Sequence, residues 1–266
     1  MWQWQTWSGL PYLTCDLLAD WRHGFFTRQF APREPHEMTP ILAATATTHR
    51  LKQVHGNVVL TPTESNTAEV EADTGNALAD GLLTEQHQQA VWVASADCNP
   101  ILIANRQTGN VAAVHAGWRG TSLNIAPMAV ERLLAQGGSL ADIIVAIGPA
   151  IDGEVYQVTS QVGLEVCRSL AQPILRIIAT KPLSGDIDAD LTILQSLPNS
   201  PLLPDAQAGR VRLDVRRVNQ LQLEQLGVDP QQISIAPHCT YQEPEYFFSY
   251  RREKLKKIQW SGIVST

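Results

Sequence analysis

Cysteine is scarce in this sequence, and its cysteines are too widely spread to form a paired disulfide framework. The chain of 266 residues contains four: Cys15, Cys98, Cys167 and Cys239. The first residues have no basic cluster followed by an unbroken apolar stretch, so they do not resemble an export signal. No apolar run approaches the roughly 18 to 20 residues that a membrane helix needs. These absences predict a protein of the reducing cytoplasm with no membrane partner.

Positive charge is also in short supply. The sequence has 20 Lys and Arg against 26 Asp and Glu, for a net charge of −6. This balance argues against a nucleic-acid-binding protein, which needs a basic face. One local exception is the basic segment 251–257, which we interpret as the solvated face of a terminal helix or strand.

Several common catalytic motifs are absent. The sequence has no Walker-type phosphate loop, no G-x-G-x-x-G, no H-E-x-x-H, no G-x-S-x-G and no C-x-x-C. The usual ATPases, dinucleotide oxidoreductases, zincins and serine hydrolases are therefore disfavoured.

Short apolar stretches, in contrast, are frequent, and helical patterns are few. The stretches predict strands at 2–7, 51–60, 90–94, 101–104, 111–114, 143–147, 233–236 and 246–250. Helices are predicted after Asn124, over 159–170, and over 215–226 with an end at Gly227. Proline-rich segments at 31–40 and 196–209 predict loops. Strands without regular helix alternation favour an α+β (mixed α/β) fold, and we expect one domain over 1–266.

Reactive side chains follow two of these strands. Cys98 comes after the strand at 90–94, and His115 directly follows the strand at 111–114, while His55 lies in another apolar stretch. Two imidazoles and one thiolate suit Zn²⁺, with a fourth coordination position left for water or substrate. Bound zinc lowers the pKa of water towards about 7. From spacing alone, a structural cysteine and two unrelated histidines remain the simpler interpretation.

Other polar residues lie beside this trio. Arg119 stands in a glycine-flanked loop before a helix, where it could bind an anion or simply face solvent. Trp118 could stack on a planar ligand or fill core space. Asp97 could orient a ligand histidine or cap a turn. Arg251 and Arg252 could bind phosphate or pair with carboxylates.

The segment 115–120 reads H-A-G-W-R-G, and it is the most specific motif of the chain. Looser motifs lie at 23–28, 52–56, 79–84, 96–100, 147–151 and 248–252 and so span nearly the whole chain. In this order, the motifs resemble those of a widespread bacterial family. It is known both as the multicopper polyphenol oxidase or laccase-domain family and as a family of zinc-dependent purine nucleoside phosphorylases and adenosine deaminases.

The resemblance implies a fold, a metal site and an activity. The fold would be similar to that of the cytotoxic-necrotising-factor-like cysteine hydrolases, with mixed sheets flanked by helices. The family's metal ligands fall on His55, Cys98 and His115. The implied activities are phosphorolysis of adenosine, inosine, guanosine or S-methyl-5′-thioadenosine, and deamination of adenosine, so that a purine nucleoside and phosphate are the expected partners.

Within that implied activity, each candidate residue has an expected role. Arg119 would hold phosphate, with Arg251 or Arg252 as further candidates. Trp118 or Phe248 would stack on the base. Asp97 and Lys52 are the candidates for protonating the leaving group.

Three alternatives stay open at this point. The first is a cysteine hydrolase with Cys98 as nucleophile and His115 as its base. The second is a non-enzymatic protein with a structural zinc. The third is a copper-dependent phenol oxidase, which needs about ten histidines, largely in H-x-H pairs. This chain has seven histidines and no such pair, so zinc is favoured over copper.

Overall fold

The computed structural model describes residues 1–170, 186–196 and 198–266. Its strands are β1 (Trp2–Trp7), β2 (Leu10–Cys15), β3 (His23–Phe26), β4 (Thr47–Arg50), β5 (Val59–Leu60), β6 (Gly81–Leu83), β7 (Gln89–Ser95), β8 (Asn99–Asn105), β9 (Val111–Ala116), β10 (Ile143–Ile147), β11 (Gln157–Thr159), β12 (Leu202–Pro204), β13 (Arg210–Leu213), β14 (Ile233–Ile235) and β15 (Gln259–Val264). Its helices are α1 (Pro35–Leu42), α2 (Pro62–Ser65), α3 (Trp118–Ser122), α4 (Ile125–Ala135), α5 (Ser160–Arg168), α6 (Ile187–Gln195), α7 (Val215–Leu226) and α8 (Tyr250–Glu253).

Two six-stranded mixed sheets form the body of the described structure. The first has the order β1-β2-β3-β15-β7-β4, and the second has the order β14-β10-β8-β9-β6-β5. Most neighbours are antiparallel, while β4 with β7, β10 with β14 and β5 with β6 are parallel. The predicted α+β fold class is confirmed. Within the described part of the chain, no helix is both long and apolar enough to cross a membrane.

The central strands are buried on both faces, which explains their nearly unbroken apolar sequences. On β8, Leu102 and Ala104 belong to the core between the two sheets. Their neighbours Ile101 and Ile103 pack instead with α4 on the other side of the second sheet. Since successive side chains of a strand point to opposite faces, one apolar strand serves two cores.

A third layer joins the small sheet β11-β13-β12 to helices α5, α6 and α7. The predicted helices over 159–170 and 215–226 are confirmed as α5 and α7. Helix α7 ends at Gly227, whose φ of +107° is a left-handed conformation that glycine adopts without a steric penalty.

The structure corrects four of the predicted elements. The predicted loop over 31–40 contains most of α1, which begins at Pro35 because proline suits the first helical position. The predicted loop over 196–209 includes strand β12. The predicted strand over 246–250 is wrong. There, Arg252 Nη2 donates to the carbonyl of Phe247, and the side chain of Gln259 pairs with the backbone of Phe248. Side chains thus replace a strand ladder, and the short helix α8 begins at Tyr250.

The predicted strand over 51–60 is also largely wrong. Only β5, at its end, forms a strand. The backbone N–H groups of Val54, His55 and Gly56 instead donate to the carboxylate of Asp80. This segment is therefore folded around the side chain of Asp80, the residue just before β6, and it brings His55 to the end of the second sheet.

Candidate metal centre

The structure brings together the three ligands that the sequence analysis singled out. His55 lies in the loop between β4 and β5, Cys98 on the turn between β7 and β8, and His115 near the end of β9. One donor atom from each side chain lies within 4.8 Å of the donor atoms of the other two. The two imidazole rings are nearly perpendicular, with centroids 4.9 Å apart.

Strand pairing explains why Cys98 and His115 meet. Strands β8 and β9 form an antiparallel pair in which Pro100 lies opposite His115. Alternation along β9 places His115 on the same face as Ala113, which belongs to the core between the sheets. Cys98, just before β8, therefore lies beside the imidazole. Burial decreases from His115 through Cys98 to the exposed His55, so one side of the cluster faces solvent.

The fully buried carboxylate of Asp80 positions two of the ligands. Its Oδ1 accepts hydrogen bonds from His115 Nδ1 at 2.8 Å and from the backbone N–H of His55 at 2.9 Å. Because an ionised carboxylate only accepts hydrogen bonds, His115 must carry its proton on Nδ1, and Nε2 is left to bind a metal. His55 has a φ of +63°, a conformation that is unusual for a non-glycine residue. Asp80 lies in the segment 79–84 that resembles the family, but no role was predicted for it from the sequence.

The donor set fits zinc. Two imidazole nitrogens and one sulfur are ligands that Zn²⁺ accepts in tetrahedral sites, where ligand atoms are roughly 3.5 Å apart. The observed spacing lies close enough to this value that small side-chain rotations would close the cluster on an ion. Among the residues that the structure describes, no second group of three or more His, Cys, Asp and Glu side chains has this arrangement.

The electrostatics of the cluster favour a thiolate. Burial alone would raise the pKa of the Cys98 thiol, but the charge and hydrogen bond of His115, with a hydrogen bond from His55, lower the pKa to about 6. Burial would lower the pKa of His115, whereas the Cys98 thiolate and the Asp80 carboxylate raise it to about 9. In the absence of a metal, Cys98 and His115 thus form an ion pair, and metal binding must displace the extra proton from His115.

A glycine makes room for this cluster. A Cβ atom at Gly117 would lie 3.0 Å from Cys98 Sγ and 3.4 Å from His55 Cδ2. Any side chain at this position would push on two of the three ligands at once. The first glycine of the H-A-G-W-R-G segment is therefore required by the close approach of the ligands.

Asp97 binds the C-terminal segment to the turn that carries Cys98. Its Oδ2 accepts the backbone N–H of Arg251 at 2.6 Å, and its Oδ1 accepts the buried hydroxyl of Thr240 at 2.8 Å. Its φ of +91° is a strained backbone conformation, of the kind that persists where surrounding contacts enforce it. Neither contact is with a ligand histidine, although the sequence suggested that Asp97 could orient one. Asp80 orients His115 instead.

Tyr156 connects the cluster electrostatically to two arginines. Burial and the Cys98 thiolate raise the pKa of Tyr156 to about 12, while Arg251 and Arg119 act in the opposite direction. The guanidinium of Arg251 lies 4.8 Å from the centroid of the Tyr156 ring. The exposed Arg119 lies 4.4 Å from the ring of Trp118, which is partly buried against the third-layer core. Tyr156 lies in the segment 152–158, where the family resemblance includes a tyrosine, but no role was predicted for it from the sequence.

The remaining candidates have other contacts. Arg252 donates to the carbonyls of Thr240 and Phe247, so its guanidinium is used to hold the backbone. Lys52 forms an ion pair with Glu71. Phe248 lies with its ring 4.4 Å from the Arg28 guanidinium and 5.7 Å from the ammonium group of Lys257.

The chain is similar to proteins that are named for reactions of purine nucleosides. The chain is 49% identical over 265 residues to the purine nucleoside phosphorylase slr1573 of Synechocystis sp., covering 100% of this chain and 97% of that protein. It is 30% identical over 173 residues to adenosine deaminase RL5 from an unknown prokaryotic organism, covering 65% of this chain and 56% of that protein. The crystal structure of YlmD from Geobacillus stearothermophilus superposes with a TM-score of 0.76 at 26% identity, covering 98% of each chain.

The sequence profile of one family matches most of the chain, over residues 36–263. That range includes all three clustered ligands, together with Asp80 and Gly117. The chain therefore belongs to the family described as multi-copper polyphenol oxidoreductase laccase.

Proposed function

We propose that this protein is a zinc-dependent purine nucleoside phosphorylase that also deaminates adenosine. The observation that carries the proposal is the convergence of His55, Cys98 and His115 within 4.8 Å. The names of two relatives, a purine nucleoside phosphorylase matched over 97% of its length and an adenosine deaminase, support the substrate class. The four cysteines are free thiols, which suits the cytoplasm as the site of action.

The three clustered side chains would hold the zinc, which when bound supplies a Lewis acid beside the substrate. Asp80 would keep His115 in the tautomer that leaves Nε2 available, and it would fix the His55 backbone at the same time. The exposed side of the cluster, at His55, is where substrate would enter.

In phosphorolysis, a phosphate oxygen forms a bond to C1′ of the sugar while the bond from C1′ to the purine nitrogen breaks. The electron pair leaves with the purine, which takes up a proton. We assign the binding of phosphate to Arg119, whose guanidinium is exposed, and secondarily to Arg251. We assign the contact with the base to Trp118 and Tyr156, which lie against these two guanidinium groups.

In deamination, water adds to C6 of adenosine, the amino group takes up a proton, and the bond from C6 to nitrogen breaks so that ammonia leaves and inosine remains. The two candidates for delivering a proton in either reaction, Asp97 and Lys52, both have partners in this structure. Lys52 is exposed, and breaking its ion pair with Glu71 costs little because solvent screens ion pairs at the surface. Asp97 would have to release the Arg251 N–H and the Thr240 hydroxyl, so Lys52 is the less costly of the two.

The position of His55 argues against the cysteine hydrolase. A nucleophile and base require only Cys98 and His115. The third donor has no role in that chemistry, yet its backbone is held in a left-handed conformation by Asp80. The copper oxidase lacks support for a different reason: seven histidines without an H-x-H pair cannot supply the ligands of four coppers.

Metal content and product formation together test the proposal. The purified protein should contain about one zinc per chain, and with adenosine and phosphate it should release adenine or inosine. Cys98→Ser should lose both the zinc and the products. Cys167→Ser, which changes a buried cysteine of the third-layer core, should retain both. A zinc-loaded protein that forms neither product would overturn the proposal.

A further inference from the structure

A pocket lies apart from the metal centre. It has a volume of about 520 Å³, and its walls include Arg28, Arg33, Lys257, Phe30, Phe248 and Trp260. Within the part of the chain that the structure describes, its lining contains none of the three clustered ligands. The volume lies within the range of about 300 to 1,000 Å³ that is typical of small-molecule sites.

The pocket has more positive than negative charge. Its acidic side chain, Glu34, forms an ion pair with Arg50, and the cation Arg28 pairs with Glu253. In the described residues, Arg33 and Lys257 have no carboxylate within 4.0 Å. Arg33 uses one N–H in a long hydrogen bond of 3.4 Å to the carbonyl of Phe30, which leaves most of its donors free. Two cations are thus available for an anion.

The aromatic side chains give the pocket an apolar floor. Phe30, Phe248 and Trp260 are 2%, 6% and 8% exposed, so each is fixed by packing. The exposed Ile258 adds apolar surface beside them. Rigid aromatic rings combined with cations suit a ligand that has both a flat body and a negative charge, because the rings contact the body while the cations bind the charge.

We propose that this pocket binds a phosphate monoester with an aromatic or heteroaromatic body, the chemical class of the nucleoside 5′-monophosphates. Arg33 and Lys257 would bind the phosphate, since a guanidinium fork and an ammonium group together match a dianion. The floor formed by Phe248 and Trp260 would contact the body. The basic segment 251–257, which the sequence analysis interpreted as a solvated face, supplies one wall of this site through Lys257.

Calorimetric titration of the zinc-loaded protein tests the proposal. Inosine 5′-monophosphate is added in phosphate-free buffer that contains saturating inosine, so that a nucleoside site at the metal centre is already filled. Binding at least ~10-fold tighter than that of inorganic phosphate alone is expected, because phosphate lacks the flat body. Lys257→Glu and Arg33→Glu should each weaken binding at least ~10-fold by placing a negative charge at the anion position.

Lys256→Glu is the matched control, because this neighbouring lysine is exposed and does not line the pocket. It should change the affinity less than ~2-fold, and all three variants should retain nucleoside phosphorolysis. Loss of nucleotide binding in the presence of inosine would overturn the proposal, since a single nucleoside site would then explain the binding. Equal effects of Lys256→Glu and Lys257→Glu, or phosphate binding as tightly as the nucleotide, would overturn it as well.

Discussion

Asp80 Oδ1 lies 2.8 Å from His115 Nδ1, and the same oxygen accepts the backbone N–H of His55. Burial would raise the pKa of Asp80, yet the hydrogen bond and charge of His115 and the N–H groups of Gly56 and His55 hold that pKa below its ordinary value. One ionised carboxylate therefore sets the orientation of a ligand side chain on β9 and the backbone of a ligand loop that is 60 positions earlier in the chain.

Asp80→Asn should weaken zinc binding 10- to 100-fold, the usual effect of removing a partner that orients a ligand histidine. The amide keeps the shape of the carboxylate, but its NH₂ group cannot accept the donors that converge here. Competition with a chelator measures the affinity for zinc. A fall in activity with unchanged zinc affinity would contradict this role.

Asp205→Asn is a matched control for that variant. The Asp205 side chain is also mostly buried, and its partners are Arg212 and Gln157 in the small sheet. Its loss should lower thermal stability while the affinity for zinc stays the same. A similar loss of zinc in both variants would mean that general destabilisation, rather than the position of Asp80, controls metal binding.

Gly117→Ala should reduce the affinity for zinc at least ~10-fold, or about 1.4 kcal/mol. The added methyl group would meet Cys98 Sγ at 3.0 Å, which is too close for both to stay in place. Gly56→Ala provides the comparison next to His55. A Cβ atom there meets its nearest neighbour, Asp80 Oδ2, at an ordinary 3.7 Å. Zinc titration should separate the two variants, and equal behaviour would rule out the steric explanation.

Arg119→Gln should separate the two proposed activities. Phosphorolysis needs bound phosphate, whereas deamination uses water. The variant should therefore raise KM for phosphate roughly 10- to 150-fold, as expected for a charged hydrogen bond of roughly 1.5 to 3 kcal/mol, and leave adenosine deamination within ~2-fold. Arg106→Gln, on the exposed turn after β8, should change neither. If both activities fall together, Arg119 acts on the site as a whole and does not bind phosphate selectively.

His23 should make the fold less stable below pH 6.5. Its Nε2 accepts the backbone N–H of Cys15, and its Nδ1 donates to the carbonyl of Trp21. Burial lowers the pKa of this imidazole, so below pH 6.5 the unfolded chain binds a proton that the folded chain refuses. The free energy of unfolding should fall with pH by up to about 1.4 kcal/mol per unit from this group.

Urea unfolding between pH 7.5 and 5.5 measures that effect. His23→Asn should be less stable than the wild type at pH 7.5, but its stability should depend less on pH. His49→Gln serves for comparison, because burial also lowers the pKa of His49, which is only half-buried. That variant should keep most of the wild-type pH dependence. An unchanged slope in His23→Asn would show that other groups cause the acid sensitivity.

Features of this site that depend on neighbouring residues could be predicted from the sequence, whereas features that depend on contacts between distant positions of the chain could not. Cys98 and His115 could be singled out because each lies at or just after the end of an apolar strand, and the resemblance to the family identified them as ligands. The role of Asp80 could not, since its contacts reach 25 and 35 positions along the chain. Periodicity carries no signal for a carboxylate that organises a loop.

The same distinction explains the errors in secondary structure. Helix α7 was predicted correctly because its apolar face and its terminal glycine are local features. The strand predicted over 246–250 was wrong because side chains of Arg252 and Gln259 compete for the backbone groups of Phe247 and Phe248. The apolar side chains of that segment have other places: Phe248 lines the pocket, and Phe247 packs in the core between the sheets.

Cys98 sits on the turn where the chain leaves the first sheet through β7 and enters the second through β8. A metal bound there would connect the two sheets, so the affinity for the metal should depend on how the sheets are positioned relative to each other. Substitutions in the core between the two sheets, far from any reacting atom, should therefore first increase the rate at which the metal dissociates. Metal retention, measured across such variants, would then depend on the relative position of the two sheets as well as on the ligands themselves.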